Sequence, residues 1–143
     1  MERVIRGKVI IPGQAGGLAL VSEEPLSFWG GYDWQNGEIT DRRHPLSGLI
    51  AAGRVLCLPF SRGSSTTTAV LLEAIRNETA PAAILTTGAD FFFALASVVA
   101  DELYSQAVPL VALSRADFAG LKSGDRVTLE QDGSITIKEV DHV

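Results

Sequence analysis

The stretch Arg54-Val55-Leu56-Cys57-Leu58-Pro59-Phe60-Ser61-Arg62-Gly63-Ser64-Ser65-Thr66-Thr67-Thr68 decides how this chain reads. Its opening run is short and apolar, as expected of a strand buried on both faces over 54–59. An arginine and a glycine follow, and hydroxyl side chains then lead into 66–76, where Val70, Leu71, Ala74 and Ile75 recur at helical spacing. Downstream, 81–86 predicts a second buried strand, 90–103 a helix and 108–113 a third buried strand. Strands alternating with helices in this order predict parallel pairing through right-handed crossovers.

The flanks read differently. Residues 3–11 alternate and are β-branched, which predicts one strand stopping at Pro12-Gly13, and a shorter strand follows over 17–21. At the far end, 125–129 and 134–139 alternate around Asp132-Gly133, a hairpin signal. Between the flank and the core lies 26–50, with Gly30-Gly31, Asn36-Gly37, Asp41, His44-Pro45 and Gly48. Turn residues at that density predict a long ordered loop, with a hairpin at Asn36-Gly37. Loops longer than about 15 residues inside a compact domain are usually functional. The expected fold is α/β: one β/β/α domain over 1–143, with a parallel β-α-β core and flanking antiparallel strands.

Composition narrows the function. With 46% hydrophobic and 20% charged residues, the 143-residue chain is expected to be globular rather than disordered. A net charge of −5, with Arg42-Arg43 the one adjacent basic pair, argues against nucleic-acid binding. One cysteine, Cys57, and two histidines, His44 and His142, cannot by themselves ligate an iron–sulfur cluster or a structural zinc. Any metal would have to be held mostly by another chain. The amino terminus lacks the apolar core of a signal peptide, and 81–100 falls short of a membrane span. The expectation is a cytoplasmic protein with no membrane partner.

Chemistry concentrates in the quoted stretch. The first N–H groups of a helix lack intrahelical partners, and the helix dipole places partial positive charge there. Gly63 lets backbone approach a ligand, and Arg62 adds a planar, permanent cation suited to carboxylate or phosphate. Ser64 in that setting gains a stabilised alkoxide, because neighbouring positive charge favours the ionised form. An N-cap also calls for serine, so from the residues alone helix capping is the first reading of Ser64 or Ser65, ahead of catalysis. The loop lacks the Lys-Ser/Thr ending of a Walker loop and the second glycine of a nucleophile elbow. The residues define an anion-binding loop with a candidate base.

Pro25-Leu26-Ser27-Phe28-Trp29-Gly30-Gly31-Tyr32-Asp33, Asn36-Gly37-Glu38-Ile39, His44-Pro45-Leu46-Ser47-Gly48, Arg62-Gly63-Ser64-Ser65 and Ala80-Pro81-Ala82-Ala83-Ile84 together resemble the small subunit of aconitase X enzymes. The resemblance runs over about 7–127. It implies a swivelling domain that moves over a large aconitase-like catalytic subunit, which holds an iron or iron–sulfur centre. It also implies hydro-lyase activity, with the first serine after the glycine, Ser64, as proton acceptor.

Two substrates are associated with the family, cis-3-hydroxy-L-proline and mevalonate 5-phosphate. The first is favoured, because Arg62 stands where an archaeal member carries lysine and because the charged fraction is low. On this reading Arg62, Gly63, Ser65 and Thr66 hold the substrate carboxylate. Phe28, Trp29, Gly30 and Gly31 are expected to face the cleft, and His44 to reach the substrate. Packing competes as an explanation for Phe28 and Trp29, and Phe91 to Phe93 read either as helix packing or as subunit interface. A non-catalytic anion-binding or regulatory module is the alternative from a different class. A phosphoryl carrier would need a histidine at a helix start, which neither His44 nor His142 supplies.

Overall fold

In the computed structural model, which describes residues 2–62 and 65–140, Gly7 divides the expected amino-terminal strand into two, β1 (Glu2–Arg6) and β2 (Lys8–Ile11). The remaining strands are β3 (Ala15–Val21), β4 (Val55–Cys57), β5 (Ala83–Thr86), β6 (Leu110–Ala112), β7 (Arg126–Leu129) and β8 (Ser134–Lys138). Their order in the sheet is β1-β8-β7-β3-β4-β5-β6-β2. Because β1 and β2 are joined through Gly7 yet lie at opposite ends of that order, the sheet curls nearly into a barrel. This leaves little exposed edge to recruit another strand.

Gly7 is required there by space. A Cβ on it would collide with Val111 Cγ1 and sit 2.9 Å from the carbonyl oxygen of Ala112, while its N–H donates to Gly133 O at 3.1 Å. The alternating pattern of 3–11 gave no sign of this break, because only closure of the sheet brings Val111 against it.

The central strands β3, β4, β5 and β6 pair in parallel, and β7, β8, β1 and β2 pair antiparallel around them. This is the expected β/β/α arrangement. Two helices make the returns. Helix α1 (Ser65–Arg76) joins β4 to β5, and α2 (Phe91–Tyr104) joins β5 to β6. The chain passes from β3 to β4 through the long loop instead.

The sheet separates two cores. Leu20, Leu56 and Ile84 point to the helical side, against Leu71, Ala74 and Ile75 of α1 and Phe93, Ala96 and Ala100 of α2. Their sequence neighbours Ala19, Val55, Cys57, Ala83 and Leu85 point into the barrel, with Val127, Leu129, Ile135 and Ile137. Successive strand residues face opposite ways, so β4 and β5 must be apolar throughout. That explains their unbroken apolar runs. Burying a side chain such as Leu71 or Ile75 stabilises the fold by about 1.5–3 kcal/mol.

The hairpin reads correctly, with β7 and β8 in register from Arg126↔Lys138 to Leu129↔Ile135. One element has no precedent in the sequence reading. Helix α3 (Arg115–Ala119) is a five-residue helix capped by Ser114, whose hydroxyl accepts from Asp117 N–H at 3.1 Å. It tucks Phe118 into the barrel core, and a single apolar side chain leaves no periodicity to detect.

Candidate active site

The long loop is an ordered structure. Antiparallel bridges Tyr32↔Ile39 and Glu38↔Ile50 fold it back on itself around Asn36-Gly37, where Gly37 takes a φ of 81°. Phe28 fastens it to the helices. Its ring is fully buried, stacked on Tyr32 at 4.6 Å and tilted against Phe93 at 5.1 Å. Phe28, expected at the cleft, is therefore a core residue, and no ligand reaches it while the core is closed. Its neighbour Trp29 is 69% exposed. Gly31 is buried, and a Cβ there would lie too close to the Ser27 carbonyl, so backbone packing accounts for this glycine. Gly30 is exposed and holds a φ of 74°.

His44 is likewise turned inward, at 7% exposure. Its Nδ1 accepts the Leu46 N–H at 3.1 Å. That leaves Nε2 as the protonated nitrogen, donating to the Glu24 carbonyl at 3.2 Å, with Ser22 Oγ at 3.4 Å. Both ring nitrogens thus serve the loop's own backbone.

The serine loop leaves the carboxyl end of β4, where ligands bind in sheets of parallel strands with helical returns. Gly63 and Ser64 lie outside the described residues. The residues around them are tightly held. Ser61 pairs with Leu26 in a parallel bridge, and Arg62 N–H donates to Leu26 O at 3.0 Å. Thr67 Oγ1 donates to Arg62 O at 3.4 Å, and Thr68 Oγ1 to Phe92 O at 3.0 Å. Thr67 and Thr68 are buried, whereas Arg62, Ser65 and Thr66 are exposed.

Electrostatics at this place favour an anion. Helix α1 has no acidic residue in its first turn and carries Arg76 in its last. Among the described residues the ion pairs are Arg3–Glu139, Arg6–Asp132 and Arg76–Glu73, so the Arg62 guanidinium is not engaged by a described carboxylate. Full cation and helix dipole point the same way.

Sequence reasoning missed Asp90 and Ser61. Asp90 reads as a helix start, and it does cap α2, accepting Phe93 N–H at 3.0 Å. It also accepts the Ser61 N–H at 2.7 Å and the Ser61 hydroxyl at 2.8 Å, although the two residues are 29 positions apart. No local pattern reports that contact. The triple phenylalanine divides: Phe93 is buried against Phe28, while Phe91 is 69% exposed and meets Phe92 edge-on.

The donor set does not suit an iron centre. Cys57 lies inside the barrel, where burial, and secondarily the charge of Asp125, push its thiol up and away from the thiolate a metal needs. His44 has committed both nitrogens, and no group of three or more His, Cys, Asp or Glu able to hold a metal occurs among the described residues. Nor, among those residues, is any helix long and apolar enough to cross a membrane.

A near-closed β/β/α domain with an electropositive helix entry at the carboxyl end of its parallel strands defines a swivel domain. The chain belongs to the aconitase X swivel domain family, whose description matches residues 4–137. It superposes on the crystal structure of holo-form aconitase X from Thermococcus kodakaraensis with a TM-score of 0.84, at 30% identity, covering 96% of this chain and 99% of that one.

It is 44% identical over 106 residues to a cis-3-hydroxy-L-proline dehydratase of Pseudomonas aeruginosa, covering 74% of this chain and 18% of that protein. It is 38% identical over 125 residues to the phosphomevalonate dehydratase small subunit of Methanothermobacter thermautotrophicus, covering 87% of this chain and 90% of that one. The chain thus spans about a fifth of the length of the hydroxyproline dehydratases it matches.

Proposed function

We propose that the chain is the small subunit of an aconitase-X-type hydro-lyase that dehydrates cis-3-hydroxy-L-proline to a pyrroline-2-carboxylate, with Ser64 as proton acceptor. Arg62, Gly63 and the entry of α1 at Ser65 and Thr66 bind the substrate carboxylate. Ser64 removes the proton from the carbon bearing that carboxylate. Positive charge from Arg62 and the α1 dipole favours the ionised hydroxyl, which is the direction a general base requires. Loss of the β-hydroxyl is not assigned to any group of this chain; an iron or iron–sulfur centre on a large aconitase-like subunit would supply the Lewis acid.

The observation that carries the reading is the exposed Arg62 guanidinium beside a helix entry with no acidic residue in its first turn. Identity to the Pseudomonas aeruginosa dehydratase, at 44%, supports the hydroxyproline substrate. Mevalonate 5-phosphate is the second reading, favoured by matches that extend over more of this chain, 87% against 74%. An anion-binding regulator is the reading that remains if the complex has neither activity.

The large subunit is proposed to dock beside the serine loop. Phe60 precedes that loop and is exposed, Trp29 is exposed in the long loop, and on α2 Phe91, Leu95 and Val98 are exposed at helical spacing. Exposed aromatic and apolar side chains of this kind are what interaction surfaces use.

The test is turnover by the complex of this chain with its large subunit, offered each substrate in turn. Ser64→Ala should fold and bind its partner yet lose about 100-fold or more in kcat, the usual contribution of a general base. Near-normal turnover by that variant removes the serine from the mechanism.

A further inference from the structure

We infer that Asp90 is a positioning residue for the serine loop, its carboxylate holding Ser61 so that the approach to Ser64 is fixed against the head of α2. The inference rests on the reading of Ser64 as proton acceptor and adds a residue that neither the sequence pattern nor that reading supplies.

The argument starts from what a helix cap needs. One side-chain oxygen suffices to accept the N–H of the third helical residue, and Ser, Asn and Asp serve about equally. Asp90 provides that oxygen, Oδ1, to Phe93 N–H at 3.0 Å. Its second oxygen, Oδ2, faces the neighbouring loop and takes the Ser61 N–H at 2.7 Å. The Ser61 hydroxyl donates to the same carboxylate, 2.8 Å from Oδ2 and 3.0 Å from Oδ1.

Only a carboxylate presents two acceptors to two chains at once; an amide would turn a donor toward one of them, and a hydroxyl has one oxygen. Asp90 is 7% exposed, so these bonds work away from competing water. They fix the residue that immediately precedes Arg62. The Leu26–Ser61 bridge and the Arg62 N–H to Leu26 O bond hold the same point from the side of the long loop. Capping alone explains none of the contacts to Ser61.

The experiment separates capping from positioning in the complex with the large subunit. Asp90→Ser keeps a competent cap, so it should still fold, its melting temperature lowered only by loss of the bonds to Ser61, and kinetics are measured well below that temperature. It removes the second acceptor, so kcat should fall about tenfold or more while KM changes less than about twofold, as expected of a misplaced base. Ser61→Ala, which deletes one donor at a half-buried residue, should lower kcat by a smaller factor of about three to five with KM likewise retained. Ser64→Ala is assayed in parallel.

If Ser64→Ala is inactive while Asp90→Ser and Ser61→Ala both turn over as the natural protein does, the positioning role is overturned and the serine reading survives. If Ser64→Ala is active, both fall. Should Asp90→Ser not fold, Ser61→Ala decides alone: unchanged kcat overturns the inference, and a kcat loss at constant KM supports it.

Discussion

The ring of Phe28 lies nearly parallel to that of Tyr32, 10° between their planes and 4.6 Å between their centres. The pair joins the long loop to the helices, because Phe28 continues onto Phe93 of α2 and the Tyr32 hydroxyl donates to Thr79 O at 2.7 Å, just past α1. Burial pushes that hydroxyl's pKa up, so Tyr32 remains a donor throughout the physiological range. Phe28→Ala should therefore destabilise the domain by about 3–5 kcal/mol, as ring deletions from cores do. Tyr32→Phe should cost about 1 kcal/mol by loss of the one hydrogen bond. Urea unfolding measures both, and a Phe28→Ala variant of natural stability would contradict the packing described.

His44 supplies a second hold on the same loop. Deleting its ring leaves the buried Leu46 N–H without its acceptor, while the Glu24 carbonyl keeps only the Ser22 hydroxyl. His44→Ala should lower stability by about 1–3 kcal/mol. In the active complex, measured well below the variant's melting temperature, KM should be unchanged. A large rise in KM with intact stability would return His44 to the substrate.

Closure of the sheet depends on Gly7. Gly7→Ala would press a methyl group onto Val111 Cγ1 and the backbone of Ala112, and backbone cannot rotate aside. A loss of about 1–3 kcal/mol is expected, the range for overpacking, and a larger loss for Gly7→Val. Thermal unfolding of the two variants checks the ordering.

These cases show which parts of the fold were legible. The parallel core was, because strands buried on both faces must be continuously apolar and the helices between them must bury a stripe. The hairpin at Asp132-Gly133 was, because turn chemistry is local. Gly7 was not, since the β-branched residues on either side of it, Val4-Ile5 and Val9-Ile10, say nothing about where a strand changes partner. The place of Arg62 and Ser65 between β4 and α1 was legible, because an apolar strand there gives way to a helical pattern. The burial of Phe28 and His44 was not legible, because an aromatic or imidazole side chain in a glycine-rich loop reads the same whether it faces a ligand or the core. Asp90 and Ser61 meet across 29 residues, because the parallel pairing of β4 with β5 sets the segments that follow them side by side.

Cys57 offers a test of the barrel interior. It is fully buried, and burial, followed by the negative charge of Asp125, raises its pKa well above the ordinary thiol range. A thiol reagent needs both access and the thiolate. The folded protein should react with such a reagent only through unfolding, so the rate should rise with urea in step with the unfolded fraction. Rapid stoichiometric modification under native conditions would mean that the barrel opens.

The hairpin carries a surface carboxylate, Asp132, whose titration has a clear sign. Asp132 accepts the Ser134 N–H at 2.9 Å and lies 3.5 Å from Arg6, and these hydrogen bonds, with the arginine's charge, hold its pKa below the usual 3.8. A carboxyl whose folded value is depressed contributes stability that is present above the unfolded value and is lost as pH falls through the folded one. The contribution of Asp132 should thus be intact at neutral pH and vanish on acidification below 3.8. Asp132→Asn should melt lower than the natural protein at neutral pH, and the two melting temperatures should converge in acid. Because the side chain is open to solvent and Arg6 is exposed, salt should shrink the neutral-pH difference. A difference that widens in acid would reverse the sign and place the stabilising form of Asp132 on the protonated side.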